Sequence, residues 1–163
     1  MPDSHDSYQH TQPAIIMFVF LAIGVLIVAF GWRRAAGGVP AGAPRTILLA
    51  LLGTAVAGVT IVTLMFSSLT IAIRDGTLQW HFTGGLFRDS IALRDVERVS
   101  QVRNPVATGW GIRKTMNGTL YRVSGLDAVH IQARGGRAFS LGSDEPQRLV
   151  QAIEAARARA GAP

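Results

Sequence analysis

Four histidines, His5, His10, His81 and His130, are the side chains best suited to move a proton near neutral pH or to ligate a metal. His81 lies between Trp80 and Phe82, and His130 between Val129 and Ile131. In an alternating strand, each therefore points away from the face that carries its apolar neighbours. A zinc site needs three or four ligands, and no acid or thiol is spaced to complete one, so neither a metal nor a cofactor is expected. An enzyme reading would use His81 and His130 as acid and base, brought within reach of each other by neighbouring strands. His5 and His10 fall in a tail, residues 1–13, that is expected to be mobile. Ser143-Asp144-Glu145 offers a hydroxyl beside two acids, but before Pro146 these are the residue types that begin a helix. With no cysteine, a thiol nucleophile, a thiolate metal site and a disulfide framework are all excluded.

Two glycine motifs have structural explanations. Gly109-Trp110-Gly111 lacks the Gly-Lys-Ser/Thr ending of a phosphate loop and the third glycine of a dinucleotide turn, so its glycines are read as a bend or bulge. Asn117-Gly118-Thr119 fits a glycosylation acceptor, but Asn-Gly is also the preferred pair of a type I′ hairpin turn, and the turn is the stronger reading.

Charge is more suggestive. The chain carries a net +6, and Leu69–Pro163 holds 13 Lys or Arg against eight acids. Arg103, Arg113, Lys114 and Arg122 cluster in sequence around Trp110. Beside a membrane such a set would attract anionic headgroups, each cation contributing about 1 kcal/mol. Those four cations and Trp110 are the candidate partner-binding residues; a solvated basic surface is the plain alternative. Nucleic-acid binding, the third class, is not expected, because the aromatic residues fall on apolar strand faces rather than between exposed cations.

Two segments position all of this. Ala14–Trp32 and Thr46–Phe66 together make 40 residues without a charge. At 1.5 Å per residue each crosses roughly the ~30 Å hydrocarbon core, so both read as transmembrane helices. A cleaved signal peptide would need a basic start, and no Lys or Arg precedes Ala14. Thirteen residues, Arg33–Arg45, join the segments into an antiparallel hairpin, residues 14–66. Ala50, Thr54 and Gly58, with Gly53 and Ala57, are expected to pack the second helix against the first. Arg33, Arg34 and Arg45 in the loop, against Arg74 beyond the second helix, favour a cytoplasmic loop with both termini outside an inner or plasma membrane.

From Leu69 the period becomes two. Leu69, Ile71 and Ile73, then Leu78, Trp80 and Phe82, form a hairpin around Arg74-Asp75-Gly76. Ile91 and Leu93 end a further strand, while Val96, Val99 and Val102 recur at a spacing of three that does not decide between helix and strand. Strands follow near Ile112, Leu120, Val129 and Leu141, giving about seven, all expected to be antiparallel. Leu149, Val150, Ile153 and Ala156 form the apolar stripe of a closing helix over about 144–160, expected to plug the mouth of a strongly bent sheet or barrel.

Gly109-Trp-Gly-Ile-Arg113, Tyr121-Arg-Val-Ser-Gly125 with Ala128-Val129, Gly136-Arg137, and Leu141-Gly-Ser-Asp-Glu-Pro146 in that order resemble the bacterial pleckstrin-homology-like domains of small membrane proteins. The resemblance covers roughly Leu69–Ala160 and implies a seven-stranded antiparallel β-barrel capped by a C-terminal helix, within a domain over 67–163. It implies no catalytic residue. The expectation is a non-enzymatic membrane-anchored module whose β-domain binds a protein partner or an anionic membrane surface.

Overall fold

The computed structural model describes residues 8–38 and 42–160, so His5 lies outside the described residues. Strand β1 (Tyr8–Pro13) leads directly into helix α1 (Ile15–Gly38), and helix α2 (Ala43–Met65) leads directly into β2 (Ser68–Arg74). The two strands pair antiparallel in register, from Tyr8 opposite Ile73 to Pro13 opposite Ser68. The ladder runs on through Ala14 N–H, which donates to Ser67 O at 2.8 Å, and through the hydroxyls of Thr11 and Thr70, 2.9 Å apart. The helical hairpin is therefore an insertion between two neighbouring strands of one sheet. Part of the tail expected to be mobile is an edge strand of that sheet.

Both helices are longer than their uncharged runs. Arg33, Arg34 and the alanines after them continue α1 to Gly38, which shortens the expected thirteen-residue connection to residues 39–42. The helices are antiparallel and meet along Met17, Leu21, Gly24 and Val28 on α1 and Leu52, Val56 and Thr63 on α2. The expected small-residue seam is not that interface. Ala50, Gly53, Thr54, Ala57 and Gly58 are exposed, and a Cβ on Gly53 or Gly58 would meet nothing. The small residues at the real contact are Gly24 of α1 and Ala55 of α2, which line a narrow apolar cleft with Leu21, Val28 and Val56.

The β part comprises β1 and β2 with β3 (Thr77–Phe82), β4 (Asp89–Ala92), β5 (Val96–Arg103), β6 (Gly111–Thr115), β7 (Gly118–Arg122), β8 (Asp127–Ala133) and β9 (Ala138–Gly142). One sheet has the order β1-β2-β3-β4 and the other β5-β8-β9-β7-β6. The two do not close into a barrel. Asp75 and Gly76, with φ of 49° and 67°, make the tight β2–β3 turn, the left-handed pair that such a hairpin requires. All pairings are antiparallel except one: β9 slots between β8 and β7, and being antiparallel to β8 it runs parallel to β7. The three-residue valine spacing resolves as strand β5 with a register shift between Val96 and Arg98, which returns Val99 to the face opposite Ile131.

Apolar strand faces meet between the sheets. Trp80 of β3 is fully buried, stacks on Phe139 of β9 at 4.6 Å and meets Tyr121 of β7 edge-on at 5.5 Å. Helix α3 (Pro146–Ala160) covers this core with buried Leu149, Ile153 and Ala156, packing on β5, β8 and β2. Ser143 Oγ accepts the N–H of Glu145, the local turn contact expected where a helix starts.

Candidate functional site

The five residues singled out around Trp110 have different surroundings. Arg103 ends β5 and Arg113 and Lys114 lie on β6, the opposite edges of the five-stranded sheet. All three are exposed, and Arg103 faces Asp127 at 4.0 Å. Chain proximity suggested one cluster, but the sheet order separates Arg103 from the other two.

Arg122 is not on the surface. It is 0 % exposed, and its Nε and Nη2 donate to Gly109 O at 3.1 and 2.5 Å. Its guanidinium lies 5.8 Å from the centre of the Trp110 ring, and its Nη1 is buried without a partner. Burial disfavours the charged form and lowers its pKa from the usual arginine range. Arg122 thus braces the Gly109–Trp110 bend from inside the domain. Arg113 supports the same bend from outside, its Nε donating to Trp110 O at 3.3 Å.

Held this way, Trp110 faces the helices. Its ring is 6.0 Å from Phe20 of α1, and the two share a groove with Leu21, Val59, Val62 and Thr63. A second junction forms where α2 ends: Phe66 stacks on Phe87 at 5.3 Å and meets Phe82 edge-on at 5.0 Å. The sequence pattern contained no signal for either junction, because both pair residues far apart in the chain.

The Asn117-Gly118 motif is placed differently from expectation. Thr115 pairs with Gly118, so the loop is Met116-Asn117, and Asn117 does not have the positive φ that a type I′ turn needs there. Glycine at 118 is required for a different reason: at φ 107° a Cβ would lie within 2.0 Å of the Ala138 carbonyl oxygen on β9.

The three described histidines do not converge. His81 belongs to the four-stranded sheet and its Nδ1 contacts Phe82 O at 3.0 Å, whereas His130 belongs to the five-stranded sheet and contacts Ser140 Oγ at 3.0 Å. His10 instead bridges β1 to the start of α3, with Nε2 at 2.5 Å from Asp144 and Nδ1 at 3.9 Å from Glu145. A further polar clamp, Arg137 on Asp89 at 2.5 Å with Tyr121 Oη donating to the same carboxylate at 3.3 Å, ties the two sheets together. Burial first, then the Asp89 charge, raises the pKa of Tyr121 above the ordinary phenol value. Among the described residues no three acids or histidines are grouped to hold a metal. No protein-family model matches the chain, and no curated protein matches it either.

Proposed function

We propose that the protein is a non-enzymatic, membrane-anchored interaction module, with a pleckstrin-homology-like β-domain that binds a protein partner or an anionic membrane surface. One observation carries the reading: two helices long and apolar enough to cross a membrane are spliced into a β-sheet, and their apolar surface stays uncovered. In the hydrophobic windows of α1 and α2 only 0 % and 6 % of residues are buried, unlike a core helix of a soluble protein. The bilayer is the natural cover for such a surface.

On this reading the hairpin crosses twice, and the β1–β2 pairing supports both of its ends emerging on one side. With Arg33, Arg34 and Arg45 at the other end, the connection lies in the cytoplasm and the β-domain outside an inner or plasma membrane. The separation of His81 from His130 on two sheets weighs against acid–base chemistry, and the burial of Arg122 with the isolation of Arg103 weighs against a continuous nucleic-acid groove. What the domain offers a partner is edge strand β6 with Arg113 and Lys114.

Hydrogen exchange of the full chain in nanodiscs separates the two kinds of partner. Protection of residues 111–115 that appears with phosphatidylglycerol and disappears at high salt is expected for an anionic surface. Protection identical in neutral and anionic nanodiscs would contradict the lipid version and leave β6 to a protein.

A further inference from the structure

The apolar run of the helices and the loops of the β-domain overlap in height. From Ile15 to Trp32 the helix rises only about 26 Å, and from Thr46 to Met65 only about 29 Å, against a hydrocarbon core of ~30 Å. A bilayer that begins at Trp32 and Arg45 therefore needs both runs to their domain ends. Phe20 lies about 7 Å and Val62 about 5 Å inside those ends. Trp110 lies at that level, beside Phe20 and Val62.

There is no slack by which the domain can lift away. Pro13 ends β1 and α1 starts at Ile15, while α2 stops at Met65 and β2 starts at Ser68. The aromatic contacts of Phe66 with Phe82 and Phe87 secure the second crossing to the domain. On this same side the β-domain shows apolar residues to its surroundings: Leu86 and Phe87 in the β3–β4 turn, 40 % and 48 % exposed, and Val106 in the turn before Trp110, 58 % exposed. Phe87 is held at φ 49°, a left-handed conformation that costs a bulky residue energy, with its ring stacked on the helix end. Arg88 and Arg113, both exposed, flank these two loops with cations.

Given the membrane anchor proposed above, we propose that the β3–β4 turn and the loop from Pro105 to Trp110 are embedded in the interfacial layer of the bilayer, seating the β-domain on its own membrane in one fixed orientation. The partner is lipid. Aromatic rings with neighbouring arginines are the side chains that settle at this depth, the ring among acyl chains and the cation at the headgroups. The face left for any other partner is then the far end of the domain, around Met116.

The chain has no cysteine, so single sites can be spin-labelled without background. Val106→Cys and Leu86→Cys report on the two loops, Met116→Cys on the far turn, and Ile23→Cys on the middle of α1, in full-length protein reconstituted in phosphatidylcholine–phosphatidylglycerol vesicles. The expected result is a ratio of oxygen to water-soluble nickel collisions several-fold higher at Val106 and Leu86 than at Met116, and below that at Ile23. If Ile23 is in lipid while both loops match Met116, the anchor stands and the seating is wrong. If Ile23 itself is as nickel-accessible as Met116, the anchor fails and the seating with it.

Discussion

The helical hairpin and the β-domain use the same residue types in opposite ways. In α1 and α2, isoleucine, leucine, valine and phenylalanine point outward: Leu26 and Leu51 are among the more exposed large apolar side chains of the described residues. In the β-domain the same types point inward, with Leu69, Leu78, Leu120 and Leu141 at 0–1 % exposure. On the proposed reading, in which a bilayer covers the hairpin, burial within the protein and hydrophobicity part company. The hairpin keeps its backbone groups paired within each helix and needs only a narrow seam between helices, whereas the sheet must fill its own interior.

Breaking each region by its own rule distinguishes them. The largest effect is expected from Trp80→Ala, which removes the side chain stacked on Phe139 and touching Tyr121. It should cost the β-domain about 3–5 kcal/mol, a large share of the stability of a typical domain, while membrane recovery stays unchanged. Chemical denaturation followed by near-ultraviolet circular dichroism, paired with carbonate extraction, measures both.

Ile23→Lys is the mirror experiment. Ile23 is exposed on α1 and touches no core, so the β-domain should denature as before. Insertion should weaken by about 2.5–3.5 kcal/mol, seen as loss of carbonate-resistant protein. A substitution that unfolded the β-domain and left extraction unchanged would show that α1 is a core helix after all.

Within the β-domain the two kinds of arginine sharpen the contrast. Arg122→Met leaves Gly109 O without its two donors and should destabilise by about 1–3 kcal/mol. Arg113→Met lies on the exposed edge strand and should change stability by less than ~0.5 kcal/mol. Equal losses would mean that exposed Arg113 holds the Trp110 bend as firmly as buried Arg122 does.

The smallest effect is a pH dependence. The phenols of Tyr121 and Tyr8 titrate above their usual value of 10.0 in the folded chain, both because of burial first. The unfolded chain therefore loses these protons at lower pH than the folded one. The stability they contribute is complete below about pH 10 and is lost as pH rises through the folded values. Replacing both with phenylalanine should flatten that loss in an alkaline denaturation series.

Much of the architecture was written locally. Unbroken apolar runs marked both helices, and period-two alternation marked β2 and β3. Charge was a poor marker of a helix end: Arg33-Arg34-Ala35-Ala36 are good helix formers, and α1 runs straight through them. Strand β1 was hidden because Tyr8-Gln-His-Thr-Gln-Pro13 is polar, and its partner lies on the far side of the hairpin. The candidate site was only half legible. Trp110 and its neighbouring cations are visible in sequence, but burial of Arg122, separation of Arg103 and the contact with Phe20 depend on long-range pairing that local patterns do not encode.

The splice between strands can be tested in native membranes with one cross-link. Thr11 and Thr70 face each other across β1 and β2 with hydroxyls 2.9 Å apart, in a chain without cysteine. Mild oxidation of the double variant Thr11→Cys, Thr70→Cys should close an intramolecular disulfide in membrane-bound protein, visible as a mobility shift that reductant reverses. Free thiols persisting at both positions, or each one labelled from a different side of the membrane, would contradict the account.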